Sequence, residues 1–494
     1  MIGRKTLAAL VATAAVGALA LTPVASGAQP ASGHYSGTTS DGSEWIADVP
    51  SSWNGTLLLY SHGYGNLLPA DAPDATTQAQ LLSMGYALAG SSYDPNGSLW
   101  ALNTAVGDQF AALAAVETTV LHRRPSHVIA VGQSMGGLIS ALEDQDSYGR
   151  IDGALTTCGI VGGGLNLNNY QLDGEYAMTK LLGSLMQGGQ SIQLVNFAKS
   201  DDSVQSANAL QTLGEDAQPG VGANATLQTQ ARLALAMAFL NTTTWSPIAS
   251  GPAAPTDYAG QEEAQYETDF GFTFFPIIPF IVEGRYEIEQ AVGGNAGWTL
   301  GVNFARELAA SPFRTEVEAL YQQAGLNLSA DLNELTRDAN ITASPLAVRN
   351  MIRTSVPTGR LQVPELDMHT VGDNLVPVTM ENWYRGVVDR TGSGPLLQQS
   401  YVARPIHCNF TPAELVAGVL AVQQRIETRR WGSVATPQAL EASASNLVAH
   451  NSSLGPPTFA APAFVPYEPW PLLGDNGPFD PFTGGSFSFP PRRW

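Results

Sequence analysis

Five consecutive residues, Gly132-Gln133-Ser134-Met135-Gly136, set a serine between two glycines in the pattern G-x-S-x-G. A serine hydroxyl attacks a carbonyl only when a base within hydrogen-bond reach takes its proton and a third group orients that base. The pattern follows a β-branched run at 128–131 and leads into a helical pattern through Leu142, the strand–turn–helix setting that such an elbow needs. The glycines answer a steric demand, because the serine sits in a strained backbone conformation and side chains across the turn would collide. Ser134 is therefore the candidate nucleophile. The competing reading is a glycine-rich structural turn with an incidental serine.

The partners of a serine in this setting follow it in the chain, first an acid and then a histidine. Of the seven histidines, His34, His62, His122 and His127 precede Ser134, His369 falls inside a predicted strand, and His450 lies beyond the last predicted helix. His407 remains as the base, in a loop at 404–407 after a predicted strand at 399–403. For the acid, Asp373 opens the loop Gly372 to Pro377 directly after a predicted strand at 366–371, where its carboxylate can hold the imidazole in one tautomer. Asp367, near the start of that strand, and Asp389, after the next helix, would face the wrong end. The oxyanion of a tetrahedral intermediate needs preorganised donors, for which the backbone N–H groups of Met135 and of Tyr64, in Ser61-His62-Gly63-Tyr64-Gly65, are the candidates. His62 reads as a core or loop histidine beside them.

The elements that must position these groups alternate strand and helix. Two short strands lie on either side of the turn signal Asp41-Gly42 within 35–49, and a continuous apolar run at 56–60 suits a strand buried on both faces. A helix near 77–84, a strand at 86–91, a helix near 105–121, the strand at 127–131 and another at 153–160 follow. This rhythm predicts an α/β fold with a mostly parallel, doubly wound sheet. It breaks at Gly162-Gly163-Gly164, and residues 166–344 read as an inserted helical cap between two catalytic-domain pieces, 29–165 and 345–430. In the second piece the strands at 366–371 and 399–403 alternate with helices near 378–388 and 412–426. Residues 431–494, rich in Pro, Gly and aromatics toward the end, read as an extended tail laid against the body.

Residues 1–28 carry Arg4 and Lys5, an apolar run at 7–21 and small residues at 26–28, the pattern of a signal peptide cleaved after Ala28; an N-terminal anchor is the alternative. The expected location is extracellular, with no membrane span in the remaining chain. With 43 Asp and Glu against 23 Lys and Arg, the chain would repel nucleic acid, and no basic patch offsets this. No CxxC or HExxH spacing points to a metal. The two cysteines, Cys158 and Cys408, make one disulfide the default in an oxidising compartment; two buried free thiols are the alternative, since the strands before them lie two places apart in the expected sheet.

His62-Gly63, the elbow 132–136, the loop 372–377 and His407, in that order around a helical insertion, resemble the α/β-hydrolase superfamily, in particular secreted bacterial members with a cap. The resemblance implies acyl-enzyme hydrolysis without a cofactor and leaves esterases, lipases, lactonases and aminopeptidases open. The pair His407-Cys408 also resembles tannase and feruloyl esterase sequences, with Gln133 where those have a cysteine before the serine. Within the cap, the aromatic, proline-stiffened run 270–280 suggests an apolar flap over Ser134, with Phe272, Phe274, Phe275 and Ile277 as substrate contacts; ordinary cap core is the bland alternative. A small-molecule ester with apolar or aromatic groups is thus the expected substrate. An aminopeptidase would need cap carboxylates, for which Glu262, Glu263, Glu267 and Glu287 are available. A catalytically silent binding module is a third reading.

Overall fold

The computed structural model describes residues 30–65, 67–186, 191–271, 277–455, 463–474, 479 and 481. The expected signal peptide lies outside them. The strands are β1 (Gly33–Thr38), β2 (Glu44–Val49), β3 (Thr56–Ser61), β4 (Ala87–Ser91), β5 (His127–Gln133), β6 (Gly153–Thr157), β7 (Glu365–Gly372), β8 (Leu397–Pro405) and β9 (Phe464–Val465). They form one sheet in the order β1-β2-β4-β3-β5-β6-β7-β8-β9. Strands β3 to β8 pair in parallel, while β1 and β2 at one edge and β9 at the other are antiparallel.

All six residues of β3 are buried because helices cover both faces. Leu57 and Leu59 face one side, with Val128, Ala130 and the Phe110, Leu113 and Val116 stripe of α2 (Ala105–Thr119). Leu58 points to the other, against Ile129, Leu155 and Val416 and Val419 of α14 (Pro412–Thr428). That alternation is the period of two expected of strands. Thr411 and Glu414 close a capping box at the start of α14, with Pro412 in its first turn. Helices α1 (Ala75–Ser83), α3 (Met135–Gln145) and α13 (Met380–Thr391) complete the covering layers.

Between β6 and β7 the chain is helical: α4 (Gly164–Leu182), α5 (Ser200–Ala217), α6 (Leu227–Phe239), α7 (Tyr258–Tyr266), α8 (Ile277–Val292), α9 (Phe304–Ala310), α10 (Arg314–Gln323), α11 (Leu328–Asp338) and α12 (Pro345–Ser355). Leu233 through Phe239 of α6 are fully buried at the centre of this layer. Arg285 of α8 is buried with Glu175 of α4, donating from Nη2 to Oε1 at 3.0 Å and from Nε to Asn168 Oδ1 at 3.2 Å. This pair ties together the two helices that roof the serine. Residues 431–494, expected as extended chain, contain α15 (Pro437–His450), capped by Thr436. The sequence 437–450 is rich in Ala and Leu and carries proline only in the first turn, which favours helix; the Pro- and aromatic-rich composition begins after it.

Candidate active site

Ser134 stands at the junction of β5 and α3 with φ 60° and ψ −122°, a positive φ that a residue with a Cβ adopts only when its surroundings hold it there. Its amide donates to Thr157 O at 3.0 Å, which pins the elbow to the end of β6. The two glycines are demanded by contact. A Cβ on Gly132 would lie 1.9 Å from Gly136 O, and one on Gly136 would lie 1.9 Å from Ser61 O. Met135 begins α3, so its N–H is among the helix amides with no intrahelical carbonyl to meet.

Chains of hydrogen bonds bring two distant loops to this serine. His407 Nε2 lies 2.8 Å from Ser134 Oγ, and His407 Nδ1 lies 2.7 Å from Asp373 Oδ2. Asp373 is buried, and its Oδ1 accepts from Leu375 N at 2.9 Å and Val376 N at 2.8 Å. Burial by itself would raise this carboxyl. The charge and hydrogen bonds of His407 and His369 outweigh it and hold Asp373 well below the usual carboxylate range. The His407 loop is fixed by Ile406 N donating to Gly372 O at 3.1 Å and His407 N donating to Asn374 Oδ1 at 2.8 Å. Ile406 and Cys408 on either side of the histidine have φ of 75° and 55°, so the loop carries backbone strain next to the imidazole.

Cys158 and Cys408 form a disulfide with Cα atoms 5.3 Å apart. Their strands, β6 and β8, are separated by β7, and the gap closes because both loops fold onto its end: Cys158 N reaches Met368 O at 2.8 Å while the 406 loop reaches Gly372. Cys408 Sγ comes within 3.2 Å of His407 Nε2, so the bridge abuts the imidazole. Among the described residues, the one metal-like grouping is this same Cys158, His407 and Cys408, whose sulfurs are spent in the bridge.

Ser134 and His407 open onto a cavity of about 240 Å³ lined by Gly63, Tyr64, Trp100, Ile160, Leu167, Gln171, Phe280, Ile281, Gly284, Ile288, Leu375 and Val376. Tyr64, named for its N–H, lies on this wall with its ring edge-on to Phe280 at 5.3 Å. Its neighbour His62 is held away from the chemistry, stacked on Tyr93 at 4.2 Å with Nδ1 2.8 Å from Gly63 O, and burial lowers its pKa. Of the expected substrate contacts, Phe272, Phe274 and Phe275 fall outside the described residues. Ile277 is displaced: it lines a smaller neighbouring cavity with Tyr170 and Asp269, and the Ser134 wall is built by the next turns of α8. The apolar positions 277, 281, 284 and 288 advance by three or four, and a helix 16 residues long carries its first turn past the serine. None of Glu262, Glu263, Glu267 and Glu287 lines the cavity. Glu262 accepts from Gln230 at 2.6 Å inside the helical layer, and Glu287 accepts from Leu99 N at 3.0 Å.

Sequence reasoning passed over His369, which is buried between Asp373 and Glu381, and the cavity contributions of α4 and Trp100. The spacing His369 to Asp373 was visible, but nothing local says that a strand residue and a loop residue meet.

No family model matches the chain. It is 26% identical over 425 residues, 80% of this chain and 88% of the other, to an o-phthalyl amidase of Xanthobacter agilis. Among solved structures, an esterase of Aspergillus oryzae aligns at 13% identity with a TM-score of 0.42 over 79% of this chain and 78% of its own. An acylaminoacyl peptidase of Pyrococcus horikoshii aligns at 8% identity and a TM-score of 0.34 over 82% of this chain and 41% of its own, so the chain spans about two fifths of that peptidase. Independently of these likenesses, a largely parallel sheet in the order 1-2-4-3-5-6-7-8 with an antiparallel second strand, a strained serine elbow after β5, and an acid and a histidine in the loops after β7 and β8 give the chain the α/β-hydrolase fold.

Proposed function

We propose that this chain is an exported serine hydrolase that cleaves carboxylic esters bearing apolar or aromatic groups through an acyl-enzyme intermediate. The observation that carries the reading is the contact of 2.8 Å between His407 Nε2 and Ser134 Oγ at the wall of an apolar cavity. In this reading Ser134 Oγ attacks the ester carbonyl while His407 takes its proton, and Asp373 stabilises the imidazolium without accepting the proton. The amides of Met135 and Tyr64 receive the oxyanion. His407 then protonates the leaving alcohol, and a water activated by the same imidazole releases the acid. The disulfide supports an oxidising destination, in line with the signal-like residues 1–28.

A second reading, hydrolysis of an amide, is favoured by the amidase relative. An aminopeptidase is disfavoured, because no carboxylate among the described lining residues is available to grip an α-ammonium. A fluorophosphonate should label Ser134, and p-nitrophenyl esters of rising acyl length should be hydrolysed in preference to N-acyl anilides and aminoacyl anilides. Absence of labelling would leave a silent binding module. Faster anilide turnover would replace the esterase reading with the amidase one.

A further inference from the structure

We propose that His369 is an imidazolium wedged between Asp373 and Glu381, a positioning residue that sets the pH at which His407 acts as a base. The second half of this inference rests on the reading of Ser134 and His407 given above. His369, on β7, is fully buried. Its Nδ1 lies 2.6 Å from Glu381 Oε1, and its Nε2 lies 2.9 Å from Val376 O and 3.4 Å from Asp373 Oδ2. A neutral imidazole offers one N–H and one lone pair, whereas a carbonyl or a carboxylate only accepts. With acceptors at both nitrogens, the ring that fits donates from both. Burial opposes a cation here, but the hydrogen bonds and charges of Asp373 and Glu381 prevail and hold the proton up to about pH 10.

Every element around the ring contributes to this balance. Glu381, on α13, also accepts from Gln399 Nε2 of β8 at 2.7 Å, and Gln399 donates to Asp367 of β7 at 3.2 Å. Asp367 and Glu365 are driven by burial well above the usual carboxylate range, with Glu365 beside Tyr384 at 3.1 Å. Asp144 of α3 is pushed up to about 7 by burial, and Arg385 of α13 is engaged with Gln399 at 2.9 Å. What remains next to His407 is a row of four groups: His407, the Asp373 carboxyl held low, the His369 cation and the Glu381 side chain. Asp373 Oδ2 is shared between the two imidazoles, and the cation offsets part of the negative charge that His407 feels.

Replacing His369 by neutral glutamine removes a positive charge near His407, which favours its protonated, inactive form. The acid limb of kcat/KM should therefore move to higher pH, by about one unit or tenfold in proton affinity. The same shift should appear in the pH dependence of fluorophosphonate inactivation. The charge on His369 is read separately, without any substrate, from ring nitrogen resonances of the full-length protein labelled with ¹⁵N-histidine. Two protonated nitrogens that persist above pH 8, and are lost at lower pH in Glu381→Gln, are expected. A bare nitrogen on His369 at pH 7, with the proton on Glu381, would overturn the proposal whether or not the variants fold or the protein hydrolyses anything. A His369→Gln enzyme that labels with an unmoved acid limb would equally overturn the positioning role. Failure of the wild-type protein to label would instead strike the hydrolase reading and leave the nitrogen measurement standing.

Discussion

Gly284 offers a perturbation whose effects on stability and on activity have opposite signs. It lies mid-way along α8 on the wall of the Ser134 cavity, and a Cβ built there meets no atom within 4 Å. A leucine at this position adds four carbons, on the order of 100 Å³ at about one water's volume or slightly less per carbon, to a cavity of about 240 Å³. It also removes a glycine from a helix interior, which is worth about 0.5–1 kcal/mol in favour of the fold. If the acyl chain occupies this space, Gly284→Leu displaces about four methylenes, each worth about 0.8 kcal/mol when buried, or about 3 kcal/mol in all. The ratio of kcat/KM for p-nitrophenyl octanoate over acetate should then fall by about two hundredfold, while Tm stays level or rises by a few degrees. The assay is the two-ester ratio beside a thermal melt. An unchanged ratio with a normal melt would refute the placement of the acyl group along α8.

Ser134→Ala or His407→Ala should lower kcat by roughly ten-thousandfold or more with the melt preserved, and Asp373→Asn by about a thousandfold or more, checked by steady-state kinetics on one ester. Reducing the Cys158–Cys408 bridge, which closes 250 residues, should lower stability by about 5 kcal/mol in the chain-entropy model. Because Cys408 adjoins His407, activity should fall at reductant levels that leave circular dichroism unchanged; loss of both together would show that the bridge serves the fold alone. Gly136→Ala drives a methyl into Ser61 O and should destabilise by about 3 kcal/mol or more, read as a large drop in Tm or insoluble protein.

Features whose physical cause is local could be read from neighbouring residues. A continuous apolar run made β3, and the Asp41-Gly42 turn signal set two short strands on either side of it, because burial of a strand and the choice of a turn are decided within a few residues. The elbow at 132–136 was legible for the same reason: strand, glycines, serine and helix are contiguous. The order of Ser134, Asp373 and His407 then singled out one acid and one histidine. Whatever depends on elements remote in the chain had to await their packing. The bridge of Cys158 to Cys408 needed the two loops to lean over β7, and the cavity wall needed to know which turn of α8 comes to rest above the serine, so Ile277 was assigned one turn too early. His369 was passed over as a strand residue because its role is made by Asp373 and Glu381 meeting it inside a medium of low dielectric, where a single proton's position follows from the partners and not from the spacing.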